Sequence, residues 1–210
     1  MFNYFEKTEV NIDFKLADLF KTIGADKGVM QDAEVVSKVI LINILSPETT
    51  NLDESENVKE IYIIEVLLNK KIVPKRFIEA LNKNINFQIL FKLKFENEIK
   101  YISSIKVFEE EKIKILKSFE SEWQEKITHD FPITLKLENV FKEMIGKITS
   151  YKFRENEDFD TYIKRLNEIN KYKSEIENLT KRRHQEKQPN FKMALNDKIK
   201  SLNKELKNFE

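Results

Sequence analysis

The sequence predicts an α+β fold: a mixed α/β domain with a small sheet over residues 1–150, followed by an antiparallel, coiled-coil-like helical hairpin over 151–210. Three observations carry that reading. Two β-branched apolar runs, Val39-Ile40-Leu41-Ile42-Asn43-Ile44-Leu45 and Ile61-Tyr62-Ile63-Ile64-Glu65-Val66-Leu67-Leu68, have the length and composition of buried strands. Around them, apolar residues recur at helical spacing. From about Asn156 onward the texture changes, with no glycine, no proline before Pro189 and 26 charged residues among the last 60. Long solvent-facing helices have that composition.

Each element follows from local pattern. Residues 14–23 place apolar side chains three and four apart and stop at Gly24, predicting a short amphipathic helix with a glycine end. Asp26 is placed to cap a second helix running to about Ser37, where the first strand run takes over until Ser46-Pro47. Residues 48–57 read as a polar loop before the second strand, which is expected to be central. Pro74 suits the first turn of a helix over 74–84, because its missing N–H costs nothing there, and Phe77, Ile78, Leu81 and Ile85 follow at helical spacing. Residues 87–95 and 99–105 read as a strand hairpin about the polar turn Glu96-Asn97-Glu98, their alternation predicting one solvated face. A further strand is expected around 119–127 and a helix over 137–148.

In the last third, Phe159, Ile163, Leu166, Ile169, Tyr172, Ile176 and Leu179 form one stripe, and Glu155, Glu157, Asp158 and Asp160 at its start complement the helix dipole. Phe191, Leu195, Ile199, Leu202, Leu206 and Phe209 alternate by four and three, a heptad-like seam. Residues 185–190, with Pro189 ready to start a helix, are the turn, so the two stripes face each other in a hairpin. The same seam can be satisfied in trans, which leaves homo-oligomerisation open.

Composition excludes several classes of function. In 210 residues, 37 basic and 36 acidic side chains nearly cancel, so no whole-chain field draws the protein to nucleic acid or an anionic membrane. With no cysteine there are no disulfides and no thiolate chemistry, which fits a cytoplasmic location. The N-terminus lacks the basic start and apolar stretch of a signal peptide, and no run approaches the roughly 18 apolar residues of a membrane span. No membrane partner is expected.

Each motif that invites chemistry has a structural alternative. Gly24-Ala25-Asp26-Lys27-Gly28 has three residues between its glycines and Val29-Met30 after them, where a phosphate loop needs four and a Lys-Ser/Thr pair. A helix-to-helix turn explains it. His129 and His184 are far apart, lack metal-ligand spacing and flank no nucleophile turn, so no metal or cofactor is expected. Glu65 is the one weak catalytic candidate: metal-dependent nucleases of the restriction type hang an Asp and a Glu-x-Lys from adjacent strands to hold magnesium and activate water. Here the x-Lys position is Leu67, with Asp53, Glu54, Glu56 and Glu60 as candidate first carboxylates. A Glu65 at a sheet edge or paired with a lysine is the simpler reading. The hairpin turn, Lys181-Arg182-Arg183-His184-Gln185-Glu186-Lys187-Gln188-Pro189, concentrates four basic residues against one acidic. Lys181, Arg182, Arg183 and Lys187 are therefore the candidate contacts for a nucleic acid or an acidic partner, although the same cluster also suits a helix C-terminus.

Several segments, in order along nearly the whole chain, resemble the bacterial family called domain of unknown function 4391. They are Lys7-Thr8-Glu9-Val10-Asn11, Leu45-Ser46-Pro47-Glu48-Thr49-Thr50-Asn51, Lys59-Glu60-Ile61, Ser121-Glu122-Trp123 and Glu186-Lys187-Gln188-Pro189. The resemblance implies a cytoplasmic protein without established activity, often encoded beside helicases and DNA methyltransferases of restriction-like systems. It supplies no catalytic residues. The expected function is a non-enzymatic accessory subunit of a restriction-like or anti-phage system, docking to a helicase or DNA methyltransferase, with Tyr162, Tyr172 and Phe209 as anchors if exposed. The alternatives are nucleic-acid binding through the basic turn and a divergent magnesium-dependent nuclease built around Glu65.

Overall fold

Both β-branched runs are strands in the interior of one sheet in the computed structural model, which describes residues 2–109, 112–125 and 128–209. In chain order the elements are β1 (Glu9–Phe14), α1 (Leu16–Thr22), α2 (Lys27–Asp32), β2 (Val36–Leu45), α3 (Pro47–Thr50), β3 (Ile61–Leu68), α4 (Lys75–Asn84) and β4 (Gln88–Phe95). They continue with β5 (Glu98–Glu109), β6 (Lys112–Glu120), β7 (Gln124–Glu125), α5 (Leu137–Thr149), α6 (Phe159–Gln185) and α7 (Pro189–Leu206). The chain divides into two compact units, Met1–Lys152 and Phe153–Glu210. The fold is thus α+β, a mixed sheet with helices followed by a C-terminal helical hairpin.

The sheet runs β1-β2-β3-β4-β5-β6, with the short β7 beside the start of β5. Every neighbouring pair is antiparallel except β3 and β4, which are parallel. That exception follows from connectivity: α4 carries the chain back so that β4 restarts at the same end, as a parallel pair requires. On one face, Phe77, Ile78 and Leu81 of α4 pack with Val39, Leu41, Ile64, Val66, Ile89, Phe91 and Leu93. In α5, Leu137, Val140, Phe141, Met144 and Ile145 are fully buried.

Several boundaries differ from the sequence expectation for identifiable reasons. The second helix ends at Asp32 rather than near Ser37: Asp26 does cap it, accepting from the Val29 amide at 2.8 Å. Asp32 is then held elsewhere, its carboxylate accepting from the Phe77 amide at 3.1 Å, and the strand begins at Val36. The expected loop over 48–57 opens with the one-turn helix α3, built by a reciprocal capping box between Ser46 and Thr49. Strand β1 was not expected; its residues are largely exposed, as befits an edge. The expected strand over 119–127 is instead β6, ending at Glu120, with the two-residue β7 beyond; Lys126 and Ile127 lie outside the described residues. The hairpin β4–β5 has no solvated face over most of its length, since Ile89 to Phe91, Leu93 and the stretch Ile99 to Lys106 are buried apart from Ile102. Alternation in sequence missed this because Lys100, Ser103, Ser104 and Lys106 are polar yet interior.

In the second unit, α6 is 27 residues, about 40 Å of helix, and it packs antiparallel to α7. Asp158 caps α6 by accepting from the Thr161 amide at 2.7 Å. Leu179, Ile199 and Leu202 are the buried centre of the seam, with Tyr172, Ile176 and Leu195 against them. Phe191 does not join it and is 60% exposed. The reason lies in α6, which carries no apolar side chain between Leu179 and its end to receive one. Among the described residues, no helix is long and apolar enough to cross a membrane.

Candidate functional site

The register of the sheet builds a polar row on one of its faces. Glu65 on β3 lies opposite Lys92 on β4, and Lys92 lies opposite Tyr101 on β5. Directly opposed residues in neighbouring strands share a face, so three adjacent strands deliver a carboxylate, an ammonium and a phenol side by side. The ammonium of Lys92 meets the Glu65 carboxylate at 2.6 Å, with both side chains mostly buried. Removing one partner would strand a largely buried charge.

A cavity of about 460 Å³ lies over this row. Its walls include Phe2 and Tyr4 from the N-terminal segment, Glu9 and Asn11 from β1, Asn43 from β2, and the row itself. Asn11 adopts a left-handed backbone with φ of 50°, where the pairing of β1 with β2 shifts register. Asn tolerates that conformation better than most side chains. The Asn43 amide donates to the Thr8 hydroxyl at 2.8 Å, which ties β2 to the N-terminal turn. Tyr4 places its hydroxyl in the interior without a hydrogen-bond partner.

Burial pushes the Tyr101 phenol up to about 12, and the Glu65 charge adds to it. The Tyr4 phenol is raised further by burial and by Tyr101. Both are protonated donors at neutral pH.

Glu65 is therefore interior and paired with a lysine, and it is not at a sheet edge. None of Asp53, Glu54, Glu56 or Glu60 lines the cavity; the second carboxylate there is Glu9. Among the described residues there is no group of three or more His, Asp or Glu placed to hold a metal ion.

The remaining candidates sit at the hairpin turn. Lys181 is exposed and pairs along its own helix with Glu177 at 2.6 Å. Arg183 reaches across to α7 and donates to the Asn196 side chain at 2.9 Å, so it joins the two helices. Arg182 and Lys187 are exposed. The single acidic residue of the turn, Glu186, accepts from the amides of Lys187 and Gln188 at 2.8 and 2.9 Å. Its charge is used by the turn itself. Next to this basic surface the first turns of α7 expose two large apolar side chains, Phe191 at 60% and Met193 at 69%. The expected anchors are not exposed: Tyr162 is fully buried and stacks on Phe153, while Tyr172 and Phe209 are half-buried against each other.

Sequence reasoning missed Tyr4, Lys92, Tyr101 and Lys106. Lys106 is fully buried on β5, where its amine donates to the Asn82 and Ile85 carbonyls at 3.2 and 2.9 Å at the C-terminal end of α4. Burial lowers it to about 7. A lysine inside an apolar strand was the available signal for Lys92 and Lys106, but only the parallel register reveals that Lys92 faces Glu65.

No curated protein and no solved structure matches the chain. The Lys7-Thr8-Glu9-Val10-Asn11 segment falls outside the family match, which covers the sheet unit from the end of α1 onward and both hairpin helices. Over residues 22–206 the chain matches the model of the family described as a domain of unknown function, DUF4391, and it belongs to that family.

Proposed function

We propose that this protein is a non-enzymatic accessory subunit that docks to a protein partner through the turn end of its α6–α7 hairpin. The observation that supports this is the pairing of exposed Phe191 and Met193 with a concentrated positive charge. Residues 181–192 carry five basic side chains against Glu186 alone. Large apolar side chains are the usual energetic centre of a protein contact, and flanking cations select an acidic rim on the partner. The seam does not use these two residues, so their exposure contributes nothing to hairpin stability.

The partner class follows from the family resemblance: a helicase or DNA methyltransferase of a restriction-like, anti-phage system in the bacterial cytoplasm. Co-expression with a helicase and with a DNA methyltransferase of a restriction-like system tests this, with size-exclusion light scattering as the readout. A stoichiometric complex is expected, weakened at least tenfold by Phe191→Ser with Met193→Ser, on the scale of a hot-spot loss. A protein that stays monomeric beside both partners contradicts the proposal. Salt-sensitive binding to DNA that persists in the double variant would assign the basic turn to nucleic acid instead.

A further inference from the structure

Among the described residues, the four most exposed large apolar side chains fall into two pairs, one on each compact unit. Phe191 and Met193 form one pair, at the turn end of the hairpin. Ile133, fully exposed, and Leu135, 79% exposed, form the other, on the sheet unit just before α5. Apolar residues scattered singly over a surface need no explanation, whereas large ones grouped together and left in water mark a contact surface. The backbone beneath Ile133 and Leu135 is fixed. The Leu135 carbonyl accepts from the Asp53 amide at 2.8 Å, the Leu137 amide donates to the Asp53 carbonyl at 2.9 Å, and the Thr134 hydroxyl accepts from the Asn139 side chain at 3.0 Å. Thr134 is half-buried, so its two neighbours form an outward ridge on the extended chain. A ridge already held in shape loses little entropy on binding.

The two pairs differ in the charge beside them. The ridge is hydrogen-bonded to Asp53, the start of an acidic stretch: residues 53–60 carry four acidic side chains against Lys59. Asp53, Glu54 and Glu56 are exposed, and Lys136 is the one cation within residues 131–137. Around Phe191 and Met193, residues 181–193 carry five basic side chains against Glu186, with Arg182, Lys187 and Lys192 exposed. Each surface is therefore an apolar centre with a rim whose charge is opposite to that of the other. Every copy of the chain carries both. We propose that the protein self-associates head to tail, the turn of one copy seating Phe191 and Met193 against Ile133 and Leu135 of a second copy. Turn on turn would set cations against cations, and ridge on ridge carboxylates against carboxylates, so the heterologous pairing is the favoured one. A contact this small should associate at about 10–100 μM. It shares Phe191 and Met193 with the partner proposed above but does not rest on that reading.

Because ridge and turn are different surfaces, variants of the two complement each other. Ile133→Ser with Leu135→Ser leaves a copy that still offers its turn, and Phe191→Ser with Met193→Ser leaves one that still offers its ridge. All four side chains are exposed, so both variants are expected to melt within about 2 °C of the wild type. Each alone should weaken self-association at least tenfold, on the scale of a hot-spot loss. Mixed, they restore a one-to-one dimer, which neither a turn-on-turn nor a ridge-on-ridge contact produces.

Sedimentation velocity of the full chain, from about 5 to 300 μM and at low and high salt, reads the association. Growth of the associated species with concentration, weakened by salt, is expected. Reversing the ridge charge with Glu54→Lys and Glu56→Lys should weaken it at least tenfold, and adding copies that carry Lys187→Glu with Lys192→Glu should recover it. The measurement needs no other protein, so its outcome is separate from that of the docking proposal. A monomer at every concentration, association unchanged in Ile133→Ser with Leu135→Ser, or no dimer in the mixture of the two serine variants would each overturn the inference.

Discussion

Interior charged residues make the stability of this protein depend on pH. Lys106 is buried with two carbonyl oxygens for company, and burial holds its amine near 7 rather than the usual value of about 10.4. Between those values the unfolded chain carries a proton that the folded chain resists. The resulting penalty is complete below about 7 and disappears as pH rises towards 10.4. Stability measured by urea unfolding should therefore climb by a few kcal/mol across that window, and Lys106→Met should flatten the climb. The Glu157–Arg165 pair stabilises the fold where Lys106 penalises it. Burial works against the Glu157 charge, but the Arg165 guanidinium, donating twice at 2.7 Å, and the Arg154 amide outweigh it and hold the carboxyl below its ordinary range. That contribution is complete above the ordinary carboxylate range and is lost as pH falls through the lowered folded value. Arg165 also donates to the Phe209 carbonyl at 3.1 Å, and Arg154 to the Asn208 carbonyl at 2.8 Å, so the pair pins the end of the chain to the start of α6. Arg165→Met, which takes the guanidinium away from the buried Glu157 carboxylate, should cost about 3–5 kcal/mol by chemical unfolding. In sequence, Glu157 read only as a helix-dipole acid, because it precedes α6 and a partner eight residues on, inside that helix, leaves no recognisable pattern.

At the scale of elements, legibility tracked apolar content. β2, β3 and α4 are written in dense apolar runs or clear helical spacing, and the sequence expectation placed each within a few residues. β1 escaped because Val10 and Ile12 face solvent at a sheet edge, where no buried stripe marks a strand. β6 was misplaced although Lys112-Ile113-Lys114-Ile115 alternates plainly; the aromatic cluster near Phe119 and Trp123 drew the expectation too far along the chain. The hairpin shows the converse error, in which a correct period overextends the seam. Heptad spacing includes Phe191, yet contact needs a partner, and α6 offers none beyond Leu179. The contrast gives a direct test: Leu202→Ala in the seam should cost about 2–3 kcal/mol, whereas Phe191→Ser should change stability by less than about 0.5 kcal/mol. Thermal unfolding of the two variants separates them. Gly24, with φ of 59° and open space around its Cα, ends α1; Gly24→Ala should destabilise by about 1 kcal/mol through backbone strain alone.

At the scale of the molecule, two sites of different chemistry stand on two separately compact units. The sheet unit carries a polar cavity that becomes visible only once parallel pairing brings Lys92 beside Glu65. The hairpin carries a basic turn that was plain in sequence, and an apolar pair that was hidden because Phe191 counted as core. The proposed docking surface is the turn end of the hairpin. Hydrogen–deuterium exchange of the protein, alone and co-expressed with a helicase or methyltransferase of a restriction-like system, reads that surface. Partner-dependent protection confined to residues 181–195 is the predicted result. Protection spread over the sheet unit, with residues 181–195 unchanged in the complex, would contradict it.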